Sequence, residues 1–160
     1  STNEIFDSIY QTTYKASFAS LAQAQRHRTL SYQMERTEEK EFFVPPILNQ
    51  DKELVSKWLY DMDSVKEFAP QGELVLIKES GSYENFILKC KERLCSAAQL
   101  EIMLNTRETL MRYYDSLRVQ NHYLAEDIEK YTKGARCTFC DFKCTEDCHF
   151  KEGKTLTRKI

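Results

Sequence analysis

Glycine and proline are scarce in this chain, with four and three among its 160 residues. That scarcity, with 30 % charged residues, argues against disorder and for a helix-rich globular domain. A surplus of either charge is also missing: 23 Lys and Arg face 25 Asp and Glu, a formal net charge of −2. A chain so balanced has no global basic field to attract nucleic acid. No apolar run approaches the ~20 residues of a membrane span. The polar start, Ser1-Thr2-Asn3-Glu4-Ile5, is not a signal peptide. Internal repeats and low-complexity segments are absent. A starting Met is lacking as well, so the expectation is an excised or processed piece of a soluble, cytoplasmic protein.

What is present is a set of periodic segments. Phe6, Tyr10, Tyr14, Phe18 and Leu21 recur every three to four residues, which predicts a helix over Phe6–Gln25, capped by Thr2 or Asn3. Leu54, Val55, Trp58, Leu59, Met62 and Val65 predict a second helix over Glu53–Val65, with Asn49 as a cap before it. Ala69-Pro70-Gln71-Gly72 reads as a turn and Leu74–Ile77 as a buried strand; another short strand is expected near Arg28–Gln33. Glu35 to Glu41 reads as a charged loop, and Phe42-Phe43-Val44 before Pro45-Pro46 as a strand end or lid anchor. Ser80-Gly81-Ser82 reads as a turn that can cap the next helix.

From Tyr83 to Lys133 there is neither Gly nor Pro. Phe86, Cys90 and Leu94 mark one helix face there. Leu110, Tyr114, Leu117, Leu124, Ile128 and Tyr131 mark another, interrupted at Asn121. One helix of that length is unusual, so a break is expected near Cys95-Ser96-Ala97. The long stripe also suits a helix-pairing or oligomer seam. The fold class expected is α+β: helix-rich, with a small mixed or antiparallel sheet and a C-terminal metal-binding tail. The domain division expected is 1–133 for the α+β body and 134–160 for the tail.

Two features carry chemistry. The first is Arg26-His27-Arg28-Thr29-Leu30-Ser31. Guanidinium and imidazole groups in a row can hold a phosphate or stack on a ring. The plain alternative is a basic helix end that suits the helix dipole. The second is the tail, with Cys137, Cys140, Cys144 and Cys148 inside twelve residues. Four thiolates so close can converge on one ion; zinc takes them at ~2.3 Å. An iron–sulfur cluster also uses four cysteines at short spacing. His149 can substitute for one cysteine, and two disulfides or free thiols are the alternatives to a metal. Cys90 and Cys95 read as small buried apolar residues. The basic finish, Lys151 to Lys159, lacks interleaved aromatics and reads as solvated rather than as a nucleic-acid surface.

The Arg-His-Arg-x-x-Ser block resembles the signature of the flavin-dependent thymidylate synthases. Arg93-Leu94-Cys95-Ser96-Ala97-Ala98-Gln99-Leu100-Glu101-Ile102 is similar to a second block of the same family, Leu-Arg followed by Ala-Gln-x-Glu-Ile after a strand–turn–helix unit. The resemblance covers roughly Ile5 to Ile102, and some members also end in a short cysteine-bearing tail. It implies reductive methylation of deoxyuridine monophosphate. Flavin adenine dinucleotide (FAD), reduced by a nicotinamide cofactor, would carry hydride, and methylenetetrahydrofolate would give the carbon. It implies a homotetramer with sites at subunit boundaries. By position, Arg26, His27, Arg28 and Ser31 would lie at the flavin and nucleotide, and Arg93 would grip and polarise the nucleotide.

The chain departs from the family pattern at several positions. Arg36 and Glu38 stand where the family has Ser and a phosphate-binding Arg, and Met34 where many members have Glu. Ser82 and Glu84 stand where an Asn-x-Arg pair supports flavin and nucleotide. Asn105-Thr106-Arg107 has that pair's letters but follows the second block. Fewer residues precede Arg26 than in the family. The resemblance therefore leaves two expectations: a divergent synthase, or a non-catalytic scaffold that kept the fold and pairs with a related domain.

Overall fold

The computed structural model describes residues 9–26, 29–139, 144 and 150. Its class is α+β, with a three-stranded antiparallel sheet and a larger helical part. The strands are β1 (Ile9–Ser17), β2 (Ser31–Arg36) and β3 (Leu74–Ser82), in spatial order β1-β3-β2. β2 and β3 run antiparallel, in a register from Ser31 opposite Ser80 to Arg36 opposite Val75. The helices are α1 (Phe18–Ala24), α2 (Lys52–Ser64), α3 (Tyr83–Arg93), α4 (Leu100–Val119) and α5 (Leu124–Glu129).

The expected helix over Phe6–Gln25 is corrected: Ile9–Ser17 is strand, and only Phe18–Ala24 is helical. A spacing of four fits both periods, because residues four apart share a face of a strand as well as of a helix. Tyr10 and Ala16 are buried and Gln11, Thr13 and Lys15 exposed, the alternation of a strand. Thr12, Thr13 and the two tyrosines are also strand formers. Ser17 ends β1 and caps α1, its Oγ accepting from the Ser20 amide at 3.1 Å. The proposed caps Thr2 and Asn3 lie outside the described residues.

The strand expected at Arg28–Gln33 begins at Ser31 and runs on to Arg36, taking in the start of the charged stretch. As an edge strand, β2 can expose Gln33, Glu35 and Arg36, and such charge blunts further pairing. β3 is central and continues through Ser80-Gly81-Ser82, which was expected to turn. Ser82 still caps α3, accepting from the Asn85 amide at 3.2 Å. Asp51 rather than Asn49 caps α2, accepting from the amides of Glu53 and Leu54. Phe42 bridges Glu73, so the Phe-Phe-Val segment does end beside β3.

The chain divides into two compact units. In the unit spanning Gln11–Ser80, Ala16, Leu21, Val75 and Ile77 form a core, with Tyr14, Phe18 and Tyr32 packed on it. The other unit holds Tyr10 and the described residues from Gly81 onward. There Tyr10 stacks on Phe86 at 4.0 Å between ring centroids. Phe86, Cys90 and Leu94 are fully buried, as their spacing implies. Leu110, Leu117, Leu124, Ile128 and Tyr131 are buried as well, within this unit. Of the two expectations for that stripe, a helix-pairing or an oligomer seam, its burial fits the pairing of α4 with α5 inside this unit.

Asn121 makes the break between those helices. Its φ of 52° is left-handed. Its amide donates to the Arg118 carbonyl at 3.1 Å, and the His122 amide reaches back to the Leu117 carbonyl at 2.8 Å. This pair of bonds satisfies carbonyls that the last helical turn leaves open. No helix among the described residues is long and apolar enough to cross a membrane.

Candidate functional site

The second motif block folds into a defined corner. α3 ends at Arg93, and Leu94 follows with its amide bonded to the Cys90 carbonyl at 3.1 Å. Cys95 donates to the Arg93 carbonyl at 2.9 Å, and Ala98 to the Cys95 carbonyl at 3.0 Å. Gln99 then caps α4: its Oε1 accepts from the Ile102 amide at 2.9 Å. Glu101 sits buried in the first turn of α4, where a carboxylate suits the positive helix end. Leu94 and Ile102 fill the core, and the Arg136 amide donates to the Leu94 carbonyl at 2.8 Å. These residue types thus serve the corner itself, through burial, capping or dipole matching.

Arg93 is different. Its side chain is half-buried, and its Nε is shielded from solvent with no hydrogen-bond partner among the described residues. A guanidinium stays charged and offers several donors, so a shielded donor left open suits an anionic partner. The plain alternative is that Arg93 merely balances the negative end of α3.

The first block is only partly described. Arg26 follows α1, exposed, with its amide bonded to the Gln23 carbonyl at 3.2 Å. Leu30 is buried and Ser31, exposed, opens β2. His27 and Arg28 lie outside the described residues. Arg26 and Ser31 belong to one unit and Arg93 to the other.

The positions that depart from the family pattern are engaged in other ways. Arg36 Nη2 lies 3.9 Å from Oε2 of the buried Glu73, and its guanidinium sits 5.1 Å above the Phe18 ring. Glu38 is exposed. Met34 is exposed on β2 and lines a shallow hollow with Gln33, Glu35, Leu76 and Lys78. Ser82 is spent as the α3 cap, and Glu84 occupies its first turn. Asn105-Thr106-Arg107 lies in the middle of α4, with Thr106 fully buried and its hydroxyl donating to the Ile102 carbonyl.

Of the four tail cysteines, Cys137 is half-buried in the turn Arg136–Thr138, and Cys144 is exposed. Cys140 and Cys148 lie outside the described residues. Among the described residues no three His, Cys, Asp or Glu side chains gather as a metal site. Two described aromatic side chains lie in or beside the cysteine run: Phe139, within it, meets Tyr131 edge-on at 5.0 Å, and Phe150, just after it, is buried.

Sequence reasoning missed a cleft of about 500 Å³ between α3 and α5. Tyr83, Ile87, Leu88, Tyr123 and Leu124 supply its apolar walls, with Glu84, Lys91 and Asp127 as charged groups. The Tyr83 hydroxyl donates to Asp127 Oδ2, and Lys130 Nζ lies 3.4 Å from Oδ1. Burial, then the Asp127 carboxylate, push the Tyr83 hydroxyl well above its ordinary range. Tyr131 first, and Asp127 after it, hold the Lys130 ammonium above its usual value. Tyr83 and Asp127 are 44 positions apart, so no local spacing announces the pair.

No protein-family model matches this chain, and no curated protein does.

Proposed function

We propose that this chain is a divergent relative of the flavin-dependent thymidylate synthases, acting in the cytoplasm on deoxyuridine monophosphate with FAD, a reduced nicotinamide cofactor and methylenetetrahydrofolate. The observation that carries this reading is the Arg93 corner. A block picked out by its letters folds as one capped joint, and its single cation has a shielded nitrogen without a partner among the described residues. In this reading Arg93 grips and polarises the nucleotide. Arg26, His27, Arg28 and Ser31 hold the flavin, which supplies hydride when bound. Cys137, Cys140, Cys144 and Cys148 bind a structural zinc, with an iron–sulfur cluster as the competing occupant. The tail is too short and polar for a core of its own, so a metal gives it one.

A second reading is a non-catalytic scaffold with the same fold, pairing with a related domain. It is favoured by Arg36 lying beside Glu73 and by Glu38 standing exposed where a phosphate ligand belongs. Absorbance separates the two. Purified protein with flavin bands, and methyl transfer to deoxyuridine monophosphate on addition of reductant and folate, supports the enzyme. Colourless protein that takes up neither added FAD nor the nucleotide supports the scaffold, and a brown protein indicates iron–sulfur.

A further inference from the structure

The cleft of about 500 Å³ between α3 and α5 lies inside one unit of the chain. That volume falls in the range of small-molecule sites. Glu84, Ile87, Leu88 and Lys91 line it from α3, at the spacing of one helix face. Two helical turns put Glu84 and Lys91 about 10 Å apart along the axis, with Ile87 and Leu88 between them. Leu88 is 46 % exposed, and Tyr123, which precedes α5, is 48 % exposed. The fold therefore leaves apolar surface in this cleft uncovered.

The charged groups that line the cleft are Glu84, Lys91 and Asp127. Asp127 is already engaged, by the Tyr83 hydroxyl and by Lys130 Nζ at 3.4 Å. Neither Glu84 nor Lys91 has an ion pair or a side-chain hydrogen bond among the described residues. Each suits its end of the α3 dipole, Glu84 in the first turn and Lys91 in the last. A dipole partner serves equally on any face of a helix, so that role does not require the two to share this cleft. Tyr83 adjoins Glu84, so its bond to Asp127 belongs to the acidic end. The cleft is thus anionic at one end, apolar in its middle and cationic at the other. A peptide laid there would bring N–H and C=O groups that the apolar middle does not pair. A hydrocarbon spine brings none.

We propose that this cleft binds a small amphiphilic zwitterion of the ω-amino acid class, with its ammonium at Glu84, its carboxylate at Lys91 and its apolar spine along Ile87 and Leu88. The proposal is independent of the flavin reading: Arg93 lies about 200° round α3 from Lys91, on another face. A ligand of about eleven heavy atoms is expected to bind with a Kd of roughly 0.1–1 mM.

The test is an NMR titration of the whole chain, labelled with nitrogen-15, against 8-aminooctanoic acid, whose charges stand about 10 Å apart when extended. Amide shifts should concentrate in 83–91 and 123–131. Octylamine and octanoic acid each lack one charge and should bind at least about threefold more weakly, the scale of an ion pair at a partly exposed site. 4-Aminobutanoic acid carries both charges but is too short to span them, and should bind no better than those two. Glu84→Gln should lower the affinity for 8-aminooctanoic acid to that for octanoic acid, and leave octanoic acid itself unaffected. Lys91→Gln should lower it to that for octylamine, and leave octylamine unaffected. Such a crossed pattern separates a lost charge contact from a lost fold, which would weaken every ligand alike. No saturable shift up to about 10 mM overturns the proposal. So does octylamine, octanoic acid or 4-aminobutanoic acid binding as tightly as 8-aminooctanoic acid, or both variants binding it like the parent.

Discussion

The Tyr83 hydroxyl donates to the Asp127 carboxylate and so ties the first turn of α3 to α5. Tyr83 is 4 % exposed, and its ring meets Tyr113 edge-on. Tyr83→Phe keeps the ring and removes the donor. The Asp127 acceptor then loses a partner in a half-closed cleft while keeping Lys130. The expected cost is about 1–2 kcal/mol in urea unfolding, and Asp127→Ala should cost at least as much. A Tyr83→Phe protein as stable as its parent would show that water replaces the hydroxyl freely.

The same pair sets an alkaline limit. Burial first, then Asp127, raise the pKa of Tyr83; burial raises that of Tyr113 to about 12. A raised pKa means that the folded state holds the proton more tightly than the unfolded chain, whose tyrosines titrate near 10. The stabilisation is complete below pH ~10 and is lost as pH climbs through the folded values. Urea midpoints should therefore fall from pH 10 upward. They should fall less steeply in Tyr113→Phe, which removes one of the two groups. A slope unchanged by that substitution would assign the alkaline loss elsewhere.

Legibility followed the ambiguity of the spacing. Phe86, Cys90 and Leu94 were readable because charged Lys91, Glu92 and Arg93 stand between Cys90 and Leu94, and a helix reconciles that mixture. Tyr10, Tyr14 and Phe18 were not, because steps of four satisfy strand and helix alike. Burial of the Leu110–Tyr131 stripe was legible, but its partner was not: two helices of one unit and a seam between chains produce the same letters. At the site, the break after Arg93 was expected from the length of the run without Gly or Pro, not from the letters of its block. The Arg36–Glu73 approach and the Tyr83–Asp127 bond had no local signature, since each joins residues far apart in sequence.

Asn121 should be replaceable by glycine and by little else. At φ 52° a β-branched side chain collides with its own backbone, whereas glycine does not. Asn121→Gly should be neutral or stabilising by a few tenths of a kcal/mol, and Asn121→Val destabilising by about 1–2 kcal/mol. Thermal melting of the two variants checks the order. The reverse order would mean that the Asn121 side chain, rather than its backbone, ends α4.

If the tail holds zinc, metal content should be one ion per chain and should fall with acid, because thiolates must be deprotonated to bind. Cys137→Ser should lower it, and a chelator should expose the 134–160 segment to protease while leaving the body resistant. Full zinc retention in Cys137→Ser would remove Cys137 from the ligand set. Two disulfides found by mass spectrometry in protein purified without oxidant would remove the site.

Arg93 and Glu38 together test the nucleotide reading. Arg93→Ala leaves the corner its backbone bonds and its Gln99 cap, so the fold should persist. Binding of deoxyuridine monophosphate, measured by calorimetry, should weaken at least about tenfold, since a charged partner at an anion site is worth roughly 1.5–3 kcal/mol. FAD uptake should be spared. Arg93→Lys should not rescue binding fully, because an ammonium lacks the paired donors of a guanidinium. Glu38 acts in the opposite sense. It is exposed and stands where the resembled family places a phosphate-binding arginine. Glu38→Arg replaces repulsion by attraction and should tighten nucleotide binding about tenfold, with the gain shrinking as salt rises. A Glu38→Arg protein with unchanged affinity, beside an Arg93→Ala protein with unchanged affinity, would sink the nucleotide reading and leave the scaffold.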